Sequence, residues 1–230
     1  MPFFYYDATY LLLIPGILLA LFAQLYVNSA YKKYQSVPTL SGFTGADAAR
    51  RILDENGLSA VTIEKVSGQL TDHYDPRHNV LRLSPAVYGT GSISALALAA
   101  HEVGHAVQKN TGYAFLSIRN AILPVVQVCS YAAIPLLILG IALEAFYLTD
   151  IAIILYASVI LFHLITLPVE FNASRRAIAL LERGGYLQYG EITGAKKVLR
   201  AAALTYVASA LMAILQLLRL VLLSGGRRRD

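Results

Sequence analysis

The sequence predicts an α-helical membrane protein of about four transmembrane helices, with a small α+β portion between the first helix and the second. Three observations carry this expectation. Of the 230 residues, 57% are hydrophobic and 14% charged, with a mean hydropathy of +0.56; a soluble domain carries about 25% charged residues. Four apolar runs approach or exceed the roughly 20 residues needed to cross a bilayer. One long polar stretch, between the first and second runs, has the patterning of a water-facing domain and contains HEVGH at 101–105.

Charge and cysteine content narrow the class. The net charge of +5 and pI near 9.3 point to basic flanks beside a membrane, and no nucleic-acid partner is expected. Cys129 is the single cysteine and lies in an apolar run, so it reads as a buried structural thiol. A cysteine-rich zinc site is excluded, and any metal must be held by histidines and carboxylates.

Residues 1–30 form an N-terminal transmembrane anchor built on the uncharged run 10–27, with a kink expected at Pro15 and Gly16. The only charge ahead of it is Asp7 and no A-x-A site follows, so an uncleaved anchor is expected in place of a signal peptide. Residues 31–120 form the portion that carries HEVGH. Within it Thr44 caps a helix over 45–55, which Asn56-Gly57 ends. VTIEKV (61–66) alternates as a strand, and 68–70 and 79–83 read as further strands. TDHYDPRH (71–78) between them reads as a turn-rich connection and 86–91 as a loop. The HEVGH helix starts near Ser92. A sheet edge beside that helix is what holding an extended chain by strand addition requires.

Residues 121–168 form a transmembrane hairpin from the runs 121–143 and 151–168, joined by a short acidic gap. Residues 169–200 form the segment expected to supply the third metal ligand, and 201–230 a last transmembrane helix, broken only by Arg219, with a basic tail. The hairpin returns the chain to the side it left, so 28–120 and 169–200 share one face, which carries 15 of the 19 Lys and Arg residues. The positive-inside rule makes that face cytoplasmic. Arg227, Arg228 and Arg229 conflict with this if 201–223 crosses fully.

The chemistry concentrates at HEVGH. On a helix His101 and His105 stand one turn apart on one face and can grip one metal ion, with Glu102 beside them to take a proton from a metal-activated water. A catalytic zinc takes three protein ligands, and Glu170, just past the run that ends at Pro168, is the expected third. A plain helix-start carboxylate is its structural alternative. His163, two turns earlier, would lie within the bilayer and reads as a polar partner for a neighbouring helix. His73 and His78, with Asp72 and Asp75, either line a substrate cleft, bind a second ion, or form a solvated turn; the turn is favoured. Glu182 and Glu191 read as surface residues. Arg175 and Arg176 read as anchors at lipid head groups.

The stretches LTDHYDPRHNVLRLS (70–84), AAHEVGHAVQ (99–108), LPVEFNASRRA (167–177) and AAALTYVASALMAILQLLRL (201–220) resemble a family of bacterial membrane proteins, the YugP-like neutral zinc metallopeptidases. The resemblance is nearly full length. It implies a zincin-like α+β portion, one Zn²⁺ per chain on His101, His105 and Glu170, and Glu102 as catalytic base. More distantly the plan is similar to HtpX-type and CAAX-prenyl membrane proteases, where the third ligand lies in an E-F-x-A-D context. Here Ser174 stands where that Asp would be, so Asn172 or Ser174 is the expected support behind a ligand histidine, and His73 is a candidate for the cleft. The function implied is a membrane-embedded zinc endopeptidase acting on protein or peptide substrates at the bilayer, with a role in membrane-protein quality control. A non-catalytic metal-stabilised scaffold is the alternative. A transporter is disfavoured by the scarcity of ionisable groups in the apolar runs.

Overall fold

The structure, a computed structural model, describes residues 8–227. Asp7 and residues 228–230, on which parts of the anchor and tail expectations rest, lie outside them. The chain divides into two compact units. Among the described residues one comprises 8–23, 118–167 and 205–227, and the other 24–117 and 168–204.

The second unit holds all of the sheet. After a 3-10 turn at Ala8–Leu13, helix α1 (Ile14–Gln35) leads into it, and α2 (Gly45–Glu55) follows. Thr44 caps α2 by a reciprocal pair: its hydroxyl accepts from the Asp47 N–H at 3.2 Å, and the Asp47 carboxylate accepts from the Thr44 N–H at 3.1 Å. Such a capping box satisfies two amides that the first turn leaves without helical partners. Ala48, Ala49, Ile52 and Leu53 recur at helical spacing and are fully buried.

Three short strands form one sheet in the order β1-β3-β2, with β1 (Thr62–Lys65), β2 (His73–Asp75) and β3 (Val80–Leu83). β3 lies in the middle, parallel to β1 (Thr62↔Val80) and antiparallel to β2 (Tyr74↔Leu81). Central position matches composition: Val80, Leu81 and Leu83 are buried, whereas β1 and β2 are partly or fully exposed. Three expectations are corrected here. Residues 68–70 form no strand, because Gly68 (φ +109°) and Leu70 (φ +56°) adopt left-handed conformations that an extended strand excludes. The strand forms instead at His73–Asp75, inside the stretch read as turns. Its polar side chains belong to an edge, where one side of the strand pairs with no other strand. The region read as loop, 86–91, likewise opens in a one-turn helix, α3 (Pro85–Tyr88), with Pro85 at its first position, where a missing N–H costs nothing.

Helix α4 (Ile93–Asn110) begins at Ser92, whose hydroxyl accepts from the Ala95 N–H at 3.2 Å. It is buried along most of its length and forms the centre of the core with Ile52 and Leu53 of α2, Leu81 and Leu83 of β3, and Ala177, Leu181, Val198 and Leu199. These last residues belong to α6 (Phe146–Arg183) and α7 (Tyr189–Arg227). The segment 169–200 therefore comprises the end of one long helix and the start of another. Pro168 lies inside α6. Its ring removes one helical hydrogen bond but does not end the helix, so Glu170 is a mid-helix residue and the helix-start reading of it is set aside.

Apart from the turn at 143–145, the described residues of the other unit are helical. α5 (Ala114–Ala142) turns into α6 through residues 143–145, with Glu144 at φ +54°. Val125, Val128 and Ile154 are each more than 60% exposed, an apolar surface suited to lipid and costly in water. Among the described residues four helices are long and apolar enough to cross a membrane: Thr9–Gln35, Ala114–Ala142, Phe146–Arg183 and Tyr189–Ser224.

Candidate metal centre

HEVGH lies in the second half of α4, and its glycine sets where that helix meets α6. A Cβ built on Gly104 would stand 2.7 Å from the Ala173 carbonyl oxygen and 3.3 Å from the Ala173 Cα. The two helices thus touch backbone to backbone, with Gly104 on one side and the fully buried Ala173 on the other. Glu170 precedes Ala173 by three residues and faces the same way. The close approach brings its carboxylate over the histidine pair.

Three donor atoms converge there. Glu170 Oε2 is 3.3 Å from His101 Nε2 and 3.7 Å from His105 Nε2, and the donors of all three residues lie within 4.8 Å of one another. The imidazoles meet edge to face, with centroids 4.8 Å apart and planes at 87°. Zinc bonds of about 2.0–2.2 Å arranged tetrahedrally place neighbouring donors roughly 3.3–3.6 Å apart, so the separations to Glu170 fit such an ion. Two neutral nitrogens and one carboxylate oxygen also form a donor set that zinc favours. No other His, Cys, Asp or Glu group of this kind occurs among the described residues.

Glu102, on α4, lies beside this cluster and against the edge of β2. One of its oxygens accepts from the Tyr74 N–H at 3.0 Å. Burial pushes the Glu102 carboxyl above the usual carboxylate range; the two histidines pull it back, while Glu170 and Asp72 push it further up. Burial lowers the His105 pKa, but the hydrogen bond to Glu170 and the charges of Glu102 and Glu170 outweigh it, and the net direction is upward. Asp72 fixes the strand that holds Glu102. It accepts from the Ser84 N–H at 2.7 Å and from the Ser84 hydroxyl at 3.1 Å, tying the start of β2 to the end of β3. Burial raises the Asp72 pKa, and these Ser84 hydrogen bonds hold it down in part.

The remaining candidates fall into two groups. Ser174 and Asn172 both stand behind the cluster: the Ser174 hydroxyl is 3.2 Å from His101 Nδ1, and Asn172 Oδ1 accepts from Gln108 at 3.0 Å. His73 is exposed, its Nδ1 paired with the Thr71 carbonyl at 2.8 Å, and it is not part of the three-residue cluster. His78 pairs with Asp75 at 2.7 Å, and Arg82 takes the same Asp75 oxygen at 3.2 Å, which leaves the turn an internally bonded structure. His163 packs edge-on against Phe162 in α6 and is not part of the three-residue cluster. Glu182 pairs with Lys196, and Glu191 accepts from the Leu40 and Gln188 amides.

Four residues carry roles that the sequence reading did not assign. Tyr74 supplies the amide that holds Glu102. Gly104 supplies the helix contact. Gln108, fully buried, joins His105 to α6. Arg176, read as a head-group anchor, also donates from Nε to Asn172 at 2.8 Å. A signal for Gln108 existed in the sequence: an amide in AVQKN, one turn after His105 and on the motif helix's buried face.

The chain matches, over residues 9–225, the family described as "Putative neutral zinc metallopeptidase". It is 50% identical over 206 residues to the protein of Bacillus subtilis (strain 168) named "Putative membrane protease YugP", covering 89% of this chain and 91% of that one. No solved structure matches.

Proposed function

From the premise that the chain belongs to the neutral zinc metallopeptidase family, we propose that it hydrolyses peptide bonds, with one zinc ion per chain held by His101, His105 and Glu170. The observation that carries this reading is the convergence of two histidine nitrogens and one carboxylate oxygen, with a second carboxylate, Glu102, beside them and outside the ligand set. A structural metal site needs no such extra base and closes its fourth position with protein. The scaffold reading has no comparable observation in its favour.

Bound zinc would supply Lewis acidity, polarising a scissile carbonyl and bringing the pKa of water to about 7. Glu102 takes the proton of the attacking water and returns it to the leaving amine. The Tyr74 N–H fixes which way the Glu102 carboxylate faces. β2 is an edge strand, so a substrate laid along it in extended form would pass Glu102. The substrates are membrane-associated proteins or their flanking segments, because Glu170 follows the apolar run 151–168 by two residues. The basic residues of 28–120 and 169–200 favour a cytoplasmic site, and quality control of membrane proteins is the role that suits that address.

The test is Glu102→Gln in the full-length protein, in detergent or nanodiscs. Zinc content should stay at one per chain, while hydrolysis of an unfolded membrane-protein substrate falls by about 10²–10⁴-fold. Full activity with zinc retained would overturn the mechanism. A zinc-loaded wild type that cleaves no unfolded or membrane substrate would favour the scaffold.

A further inference from the structure

Behind His105 lies a hydrogen-bond chain whose direction is fixed at every link. Arg176 Nε–H only donates, so the Asn172 atom 2.8 Å away is the amide oxygen. That oxygen and the Val169 carbonyl both face one end of the Gln108 amide, at 3.0 and 2.8 Å. Both are acceptors, so that end of Gln108 is the NH₂. Its oxygen therefore faces His105 Nδ1, 3.0 Å away. An amide oxygen only accepts, so Nδ1 carries the proton. Gln108 is fully buried, and water does not offer it other partners.

We propose that Gln108 is a positioning residue for the metal. Its amide holds the His105 ring with Nδ1–H turned away and Nε2 bare toward Glu170, and ties that ring to α6 one residue before Glu170. It thereby sets the tautomer of one ligand and the register of another. His101 has no equivalent. Its Nδ1 partner is the Ser174 hydroxyl at 3.2 Å, which donates or accepts equally well and selects no tautomer. A carboxylate behind a ligand histidine raises the ring's basicity as well as orienting it; the Gln108 amide orients without adding charge to a pocket that already holds Glu102 and Glu170.

This inference rests on the zinc reading, and the experiment separates the two. Full-length wild type, Gln108→Leu and Gln108→Glu are compared by zinc affinity, through chelator competition, and by melting temperature without metal. Glu keeps the acceptor facing His105 and loses the NH₂ donors; Leu loses both. Gln108→Leu should weaken zinc binding by about 10–100-fold, while Gln108→Glu binds zinc at least as tightly as wild type despite a lower melting temperature. Affinity would then follow the acceptor, and stability the donors. A folded Gln108→Leu that binds zinc like wild type would overturn the proposal, as would equal weakening in both variants, the signature of packing alone. If Gln108→Leu does not fold, Gln108→Glu decides: retained affinity supports the proposal and a tenfold loss overturns it. A wild type that binds no zinc removes the zinc reading and this inference with it, whereas the outcomes above bear on Gln108 alone.

Discussion

Gly104 is where the two ligand-bearing helices touch, and no larger residue fits there. Gly104→Ala puts a methyl group 2.7 Å from the Ala173 carbonyl, against backbone that cannot rotate away. Overpacking of this kind costs about 1–3 kcal/mol. Denaturation of the variant should show that loss, and zinc affinity should fall in parallel as Glu170 moves off the histidines. Unchanged affinity would mean that the contact does not place Glu170. His101, Glu102 and His105 were legible in the sequence because helical spacing alone determines that the two histidines share a face. Glu170 was legible because two histidines left a ligand missing. Gln108 and Arg176 were not, because each role depends on a partner chosen by tertiary packing; for Gln108 that partner, Val169, is 61 residues away.

At the scale of elements, β2 shows why edge strands are hard to read. It has three residues, none fully buried, so its polarity resembles that of a turn, and what makes it a strand is pairing with β3. Its far end is held by Asp75, whose carboxylate sits below the usual range. The His78 hydrogen bond is the main cause; burial opposes it, and the His78 and Arg77 amides and Arg82 add to it. A carboxylate depressed in the folded state adds stability above its unfolded pKa and loses it as pH falls through the folded value. Asp75→Asn should therefore melt below wild type at neutral pH, with the difference closing only as the pH drops beneath the ordinary carboxylate range. A gap that stays constant into acid would show that Asp75 acts by shape and not by charge. α2 was read from sequence to the residue, since Thr44 and Asn56-Gly57 mark its ends chemically, and the start of α4 was placed near Ser92. The continuity of α6 through Pro168 was not, because a proline within a helix is tolerated or not according to what packs around it.

At the scale of the whole molecule, composition and hydropathy patterning sufficed for the coarse result: four helices of membrane-crossing length and one small sheet among the described residues. Everything in the candidate centre belongs to the unit of residues 24–117 and 168–204, so the sequence separation of 65 residues between His105 and Glu170 is closed within one compact body. The central claim is that these side chains hold zinc, and a metal-edge anomalous map of the full-length protein tests it most directly. One zinc peak per chain is expected, with His101, His105 and Glu170 each at about 2.0–2.2 Å and no fourth protein ligand. A zinc peak elsewhere, or Glu170 more than about 5 Å from the ion, beyond any direct bond, would contradict it.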